Sequence, residues 1–125
     1  MSVVYDAGVL VAAERGDREV WADHRIRLEI GAVPVTTAPV IAQVSRSPRQ
    51  AQLRRFLRGC EVLAFTPDDA HDVGALLAKA HTSDVVDAHV VHMAETLRAS
   101  VLTADVDDLS LLAGNASADV PIIRL

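Results

Sequence analysis

Short apolar stretches alternate along the chain with longer segments in which apolar residues recur at helical spacing. The short stretches predict five strands, which cover residues 3–5, 33–36, 61–65, 100–103 and 121–124. The longer segments predict helices at residues 7–13, 18–30, 39–46, 48–58, 67–79, 84–98 and 106–113. Since strands and helices alternate from one end to the other, we expect an α/β fold. It should have three layers, α/β/α, with a central sheet of four to five mainly parallel strands.

The composition fits a sheet that is buried between helices. Of the 125 residues, 50% are hydrophobic, chiefly Ala, Val and Leu, and only 3% are aromatic. Small branched side chains are typical of a parallel sheet covered on both faces. The length is that of one ordinary domain and no linker-like stretch interrupts it, so a single domain over residues 1–125 is predicted. No apolar run approaches the roughly 20 residues of a membrane span and no leader is recognisable, which predicts a soluble, cytoplasmic protein.

Cysteine and histidine give no indication of a zinc cluster in the sequence. Cys60 is the only cysteine, which excludes an internal disulfide framework and favours a reducing compartment. His89 and His92 lie three residues apart on one predicted helix. A zinc site would need further ligands at suitable spacing, so the sequence predicts ordinary packed or partly exposed histidines.

The charged residues are distributed unevenly. The net charge of −5 argues against a protein that coats nucleic acid by bulk attraction. Five of the arginines nevertheless fall between residues 46 and 58, a segment without a single acid. Phosphate contacts are the expected use of such a patch, with Arg46, Arg49 and Arg54 as candidates. A solvated helix face, or a surface for an acidic partner, explains the same pattern equally well.

Acidic residues follow the predicted strands at positions where ligands bind in α/β sheets. Asp6 comes directly after the first strand and Asp105 comes soon after the fourth. Asp84 and Asp87 open a helix three residues apart, and Asp108 follows Asp105 at the same spacing. Ligands of open α/β sheets bind at the carboxyl ends of the strands, so several carboxylates could converge there. Converging carboxylates need a compensating cation, and Mg²⁺ is the hard ion that prefers oxygen ligands.

The same acids have an ordinary structural interpretation. Aspartate at a helix N-terminus accepts hydrogen bonds from exposed backbone N–H groups, and a second aspartate in the first turn favours the helix dipole. Asp84 and Asp105 each begin a D-x-x-D pattern at a predicted helix start. Spacing alone leaves both interpretations open for each residue.

Four stretches of the chain together match a known family. They are VVYDAGVL at 3–10, VTTAPVIAQV at 35–44, DAHVVHMA at 87–94 and LTADVDDL at 102–109. In this order and spacing they resemble the PIN domain, in particular that of the VapC-like toxins of VapBC toxin–antitoxin modules. The resemblance extends over essentially the whole chain.

The resemblance implies a ribonuclease that depends on Mg²⁺ or Mn²⁺. It implies that Asp6, Asp87 and Asp105 are metal-binding and catalytic acids, and that Asp108 is a supporting acid. It also implies a catalytic-site role for Thr103, near a bound water or metal. The expected partners are an RNA substrate, a cognate antitoxin and a second copy of the chain in a homodimer.

Three further residues bear on these roles. Asp84 is an additional carboxylate one helical turn before Asp87, and it is a candidate metal ligand. Gln43 stands where the family usually has Glu, so its amide could still touch the metal or a bound water but could not accept a proton. A second difference from the family lies at Ala7-Gly8, because a hydroxyl or amide residue commonly follows the first Asp in the family. The alternative function is therefore a catalytically weakened PIN-like module that mainly binds RNA or an antitoxin.

Overall fold

The computed structural model describes residues 2–125 and contains one parallel sheet. Its strands are β1 (Val3–Tyr5), β2 (Val35–Thr37), β3 (Glu61–Leu63), β4 (Ser100–Thr103) and β5 (Ile122–Arg124). They are arranged in the order β3-β2-β1-β4-β5, and every neighbouring pair is parallel. The predicted α/β class and the mainly parallel sheet are confirmed.

Seven helices connect these strands in the described part of the chain. They are α1 (Ala7–Glu14), α2 (Arg18–Glu29), α3 (Ala38–Val44), α4 (Ala51–Leu57), α5 (Pro67–Ala80), α6 (Val85–Leu97) and α7 (Val106–Ala113). Helices α2, α3 and α4 pack on α1, whereas α5, α6 and α7 pack on one another. The chain moves outward from β1 to β3 and then returns to β4, so right-handed crossovers place the two helix groups on opposite faces of the sheet.

One helix begins later than the sequence predicted. The expected start at Pro48 is wrong, because residues 47–50 form a turn and α4 begins at Ala51. The Gln50 side chain stabilises this turn, since its Oε1 accepts hydrogen bonds from the backbone N–H groups of Arg46 and Ser47. Strands β2, β3 and β5 are also shifted or shortened by one or two residues relative to the prediction.

Aromatic rings fill the core beneath the first helix group. Tyr5, on β1, is buried and its hydroxyl lies 3.0 Å from Nδ1 of His24 on α2. The His24 ring stacks on Phe56 of α4 at a centroid distance of 3.9 Å, and Trp21 meets Phe56 edge-on. These contacts attach α2 and α4 to β1, the strand that directly precedes Asp6. Within residues 2–125, no helix combines the length and apolar character needed to cross a membrane.

Candidate metal centre

The acids lie where the strand order of the sheet reverses, between β1 and β4. These two strands are hydrogen-bonded neighbours, but the chain continues from β1 toward one edge of the sheet, through β2 and β3, and from β4 toward the other edge, to β5. A crevice forms at such a reversal, outside the carboxyl ends of the strands. Asp6 directly follows β1 and Asp105 follows β4 by two residues, so both stand at this crevice.

Thr103, the last residue of β4, connects the two strand ends. Its hydroxyl is fully buried and donates a hydrogen bond of 2.8 Å to Oδ2 of Asp6. The same Oγ1 accepts a hydrogen bond of 2.9 Å from the backbone N–H of Asp105. One small side chain thus fixes the Asp6 carboxylate and the first turn after β4 relative to each other.

The Asp6 carboxylate is only partly satisfied within the protein. Its side chain is 4% exposed, and Oδ1 has no hydrogen-bond partner among the described residues. Burial raises the pKa of Asp6, and the nearby charges of Asp105 and Asp84 act in the same direction. A buried carboxylate oxygen without a donor is costly, unless a cation or a bound water satisfies it.

Asp87 enters the same crevice from α6. It lies in the first turn of the helix and is 8% exposed. Burial, followed by the negative charge of Asp6 and then that of the other acids around it, raises the pKa of Asp87 to about 7. The carboxyl group therefore takes up a proton near neutral pH when no cation is bound.

Asp105 and Asp108 complete the group on α7. Ligand atoms from Asp87, Asp105 and Asp108 all lie within 4.8 Å of one another, a separation that lets three carboxylates bind one ion. Contact with the Asp105 carboxyl group raises the pKa of Asp108, as expected of two acids that share a proton. Asp6 is outside this group of three, but its charge acts on Asp87 and its hydrogen bond to Thr103 keeps it beside Asp105.

The acids at the helix starts differ in whether they cap the helix. Asp84 is the N-cap of α6, and its carboxylate accepts the backbone N–H of Asp87 at 2.9 Å. Asp6 and Asp105 occupy the N-cap positions of α1 and α7, yet neither side chain accepts a capping hydrogen bond. Asp84 thus positions Asp87 and adds negative charge, and its role as a metal ligand stays a prediction.

The other candidates form no hydrogen bond with these acids among the described residues. Gln43 lies exposed in the last turn of α3 and takes no part in the hydrogen bonds that join Asp6, Thr103 and Asp105. Arg49 and Arg54 are exposed, and Arg46 folds back on the end of α3, where its Nη1 donates to two backbone carbonyls. Their proposed roles at the metal and on RNA stay predictions.

Gly8 contributes to the site in a way that the sequence analysis missed. A methyl group at this position would lie 2.7 Å from the Ala104 methyl group, much closer than two carbon atoms can approach. The absent side chain lets the first turn of α1 approach the loop after β4. Asp6 lies two residues before Gly8 and Asp105 directly follows Ala104, so the close approach brings the backbones of the two acids together.

Comparison with known proteins agrees with this architecture. The family profile described as PIN domain matches residues 3–115. No curated protein sequence matches the chain. The match to the PIN-domain profile confirms the family resemblance that the four sequence stretches predicted.

Several solved structures share the fold at low sequence identity. A chain of VapBC2 from Rickettsia felis, bound to a DNA fragment from their promoter, is 16% identical with a TM-score of 0.77, over 100% of this chain and 99% of that chain. FitAcB from Neisseria gonorrhoeae is 13% identical with a TM-score of 0.66, over 97% of this chain and 96% of that one. PAE2754 from Pyrobaculum aerophilum is 16% identical with a TM-score of 0.62, over 97% and 89%. At these identities the likeness establishes the fold.

Proposed function

The chain belongs to the PIN-domain family, and from this premise we propose that it is a divalent-metal ribonuclease, the toxin of a toxin–antitoxin module. The observation that carries the proposal is the convergence of Asp87, Asp105 and Asp108 beside the buried, partly unsatisfied Asp6. We take residues 1–125 as one PIN domain that acts in the cytoplasm.

The residues fit a hard divalent cation, Mg²⁺ or Mn²⁺. Every ligand in the group is a carboxylate oxygen. Oδ1 of Asp6 has no hydrogen-bond donor among the described residues, and a bound cation would satisfy this oxygen as well. Asp87, Asp105 and Asp108 would hold the ion together with Asp6, and Asp84 would add long-range negative charge. Such an ion, when bound, lowers the pKa of a coordinated water and stabilises negative charge on a phosphate.

The protein's own groups prepare this centre. Thr103 holds Asp6 by a buried hydrogen bond, so the carboxylate keeps its position without a capping role. Asp84 fixes the first turn of α6 and thereby the place of Asp87. Asp87 must lose a proton before it can bind a cation, because its pKa is about 7 in the unliganded protein.

RNA binding is proposed for the arginine-rich segment. Arg46, Arg49 and Arg54 are exposed and no acid occurs between residues 46 and 58. Guanidinium groups on such a surface would contact phosphates irrespective of base sequence. Alanine at all three positions should weaken RNA binding about equally for different sequences and reduce its dependence on salt.

Gln43 favours a second candidate function, a PIN-like module that binds RNA or an antitoxin with little cleavage. The neutral amide is exposed, so a glutamate could replace it without a burial cost. We expect Gln43→Glu to tighten Mn²⁺ binding and to raise the cleavage rate. An unchanged rate together with efficient RNA binding by the parent would favour the binding module.

The partner proteins are proposed from the neighbours and from the surface. The similar structures include VapBC2 bound to promoter DNA, and this supports an antitoxin partner for the present chain. Three large apolar side chains close together in the sequence are exposed: Ile26 by 56%, Ile30 by 73% and Val33 by 48%. Exposed apolar side chains of this kind suit a protein interface. We include a homodimer among the proposed assemblies.

Cleavage of RNA with and without divalent metal tests the proposed function. The parent should cleave in Mg²⁺ or Mn²⁺ and stop in EDTA, while Asp87→Asn or Asp105→Asn should lower the rate by about a hundredfold or more, since the metal contributes several kcal/mol. Asp119→Asn removes an exposed acid outside the site and is the matched control. Equal cleavage by the parent and Asp87→Asn would refute the nuclease assignment.

A further inference from the structure

A row of apolar side chains crosses the sheet on the face toward α2 and becomes more exposed toward the edge. Tyr5, Leu102 and Ile123 are register partners on β1, β4 and β5, so their side chains point to the same face. Tyr5 is 1% exposed because α2 and α4 cover it, Leu102 is 8% exposed, and Ile123, on the edge strand, is 43% exposed. The helices on this face therefore cover β1 and leave much of β5 open.

This open face is the floor of a groove between α2 and β5. The groove has a volume of about 510 Å³, and Leu102, Ile123 and Leu125 line it on the strand side. Its other wall is α2, from the N-cap Asp17 to Arg27 in the last turn. We call it the α2–β5 groove. A concave apolar surface with charged residues around it is typical of a binding site.

The spacing of the elements favours a helix as the occupant. Helices that pack side by side lie about 8–10 Å apart, and neighbouring strands lie about 4.8 Å apart. α2 lies over β1, since His24 on α2 contacts Tyr5. The next helix position in this layer is thus two strands further along, over β5, where the groove lies. The α2 wall from Asp17 to Arg27 is about 15 Å long, close to the length of three helical turns.

The charges around the groove indicate the character of this helix. Asp17, Glu19 and Asp23 lie on the α2 wall, and Arg124 lies at the strand edge. Asp23 is paired with Arg27 at 2.8 Å, whereas Asp17 and Glu19 form no ion pair within residues 2–125. Lysine or arginine on the flank of an incoming helix would meet these two carboxylates, and its apolar face would cover the strand side.

We propose that the α2–β5 groove binds an amphipathic helix of a partner protein, with apolar side chains toward the strands and Lys or Arg toward α2. The groove lies on the face of the sheet opposite to α6 and α7, the helices that carry Asp87 and Asp108. This inference does not depend on nuclease activity. A second copy of the chain is the alternative occupant, and the experiment separates the two.

A designed helical peptide tests the proposal on the full chain. The probe is a blocked peptide of about 15 residues, with Leu at every third or fourth position, Lys on one flank and Ala elsewhere. We expect it to bind saturably in calorimetry. It should shift the methyl NMR signals of Leu102 and Ile123 but not that of Val62, which lies on the opposite edge strand. A second peptide with Glu in place of Lys should bind about tenfold more weakly, because the α2 acids repel it.

Matched variants locate the binding. Ile123→Glu and Val62→Glu replace similarly exposed residues, 43% and 45%, on the two edge strands and change the net charge alike. Ile123→Glu should weaken binding of the Lys peptide about tenfold, because a charge under the bound helix loses its water. Val62→Glu should leave the affinity unchanged. If Ile123→Glu fails to fold, Leu125→Glu takes its place, since Leu125 is also exposed.

The results that would overturn the proposal are equally specific. They are the absence of saturable binding, equal affinity of the Ile123→Glu and Val62→Glu variants for the Lys peptide, and equal affinity of the parent for both peptides. A parent dimer that Ile123→Glu dissociates would assign the groove to a second copy of the chain instead. Sedimentation of the parent and both variants at several concentrations detects this outcome.

Discussion

Acidification should weaken metal binding by an amount that the Asp87 environment sets. Burial and the surrounding acids raise the pKa of Asp87 to about 7, and only the ionised carboxylate binds a cation. At pH 8 the group is almost fully ionised, whereas at pH 6 only about one molecule in eleven carries the charge. The apparent dissociation constant for Mn²⁺ should therefore rise about tenfold between pH 8 and pH 6.

The sign of the stability effect follows from the same shift. Because the pKa of Asp87 is raised to about 7 in the folded state, the stability of the metal-free protein should fall as pH rises from about 4, the ordinary pKa of aspartate, through about 7. Mn²⁺ then stabilises most at high pH. At a free Mn²⁺ concentration of about 100 times the dissociation constant at pH 8, binding should add about 2.7 kcal/mol at pH 8 and about 1.4 kcal/mol at pH 6.

Calorimetric titration and thermal unfolding in parallel measure this effect. Asp87→Asn is the informative variant, because an amide does not titrate and its weaker Mn²⁺ binding should change much less with pH. Asp119→Asn should behave as the parent. A dissociation constant for the parent that stays within twofold from pH 8 to pH 6 would contradict the assigned role of Asp87.

Two further predictions concern packing and capping, and urea unfolding measures both. Gly8→Ala should destabilise the fold by about 1–3 kcal/mol because the new methyl group collides with Ala104. The control is Gly74→Ala, which has open space around it in α5 and should stabilise the fold by up to about 1 kcal/mol. If both variants were more stable than the parent, the packing at Gly8 would not be tight. Glu14→Gln should cost about 1 kcal/mol, since the Glu14 carboxylate accepts the Leu53 backbone N–H at 2.6 Å in the first turn of α4. If Glu14→Gln were as stable as the parent, the hydrogen bond between Glu14 and Leu53 would not stabilise the packing of α1 on α4.

The sequence predicts the sheet and the place of the acids because both depend on local order. Val3–Tyr5 and Ser100–Thr103 are short apolar runs of β-branched character, and the structure has strands within the same bounds. Parallel strands end at the same edge, so acids that follow β1 and β4 meet once these strands are neighbours. The convergence of Asp6 and Asp105 thus follows from strand order.

What each acid does could not be read from spacing. Asp84 and Asp105 both begin a D-x-x-D pattern, yet only the Asp84 side chain accepts a capping hydrogen bond. The difference arises from the loops that precede the two helices, since these loops set the direction of each carboxylate. The late start of α4 has a similar cause, because the Gln50 side chain bonds the turn after α3.

The sequence also could not predict contacts between helices that are distant along the chain. Glu14 meets Leu53 across 39 residues, and nothing near either residue indicates the other. The sequence analysis found too few ligands near His89 and His92 for a zinc site. The structure places Asp69 and Asp72 of the facing helix 3.4–3.6 Å from the Nε2 atoms of these histidines, because the register of α5 on α6 is a property of packing.

The central claim is that one divalent cation is shared by acids from β1, α6 and α7. Anomalous diffraction from crystals soaked in Mn²⁺ tests it most directly. We expect a peak in the crevice with oxygens of Asp6, Asp87, Asp105 and Asp108 as its ligands. Crystals in which Mn²⁺ is bound at other positions, while this crevice shows no peak, would contradict the account.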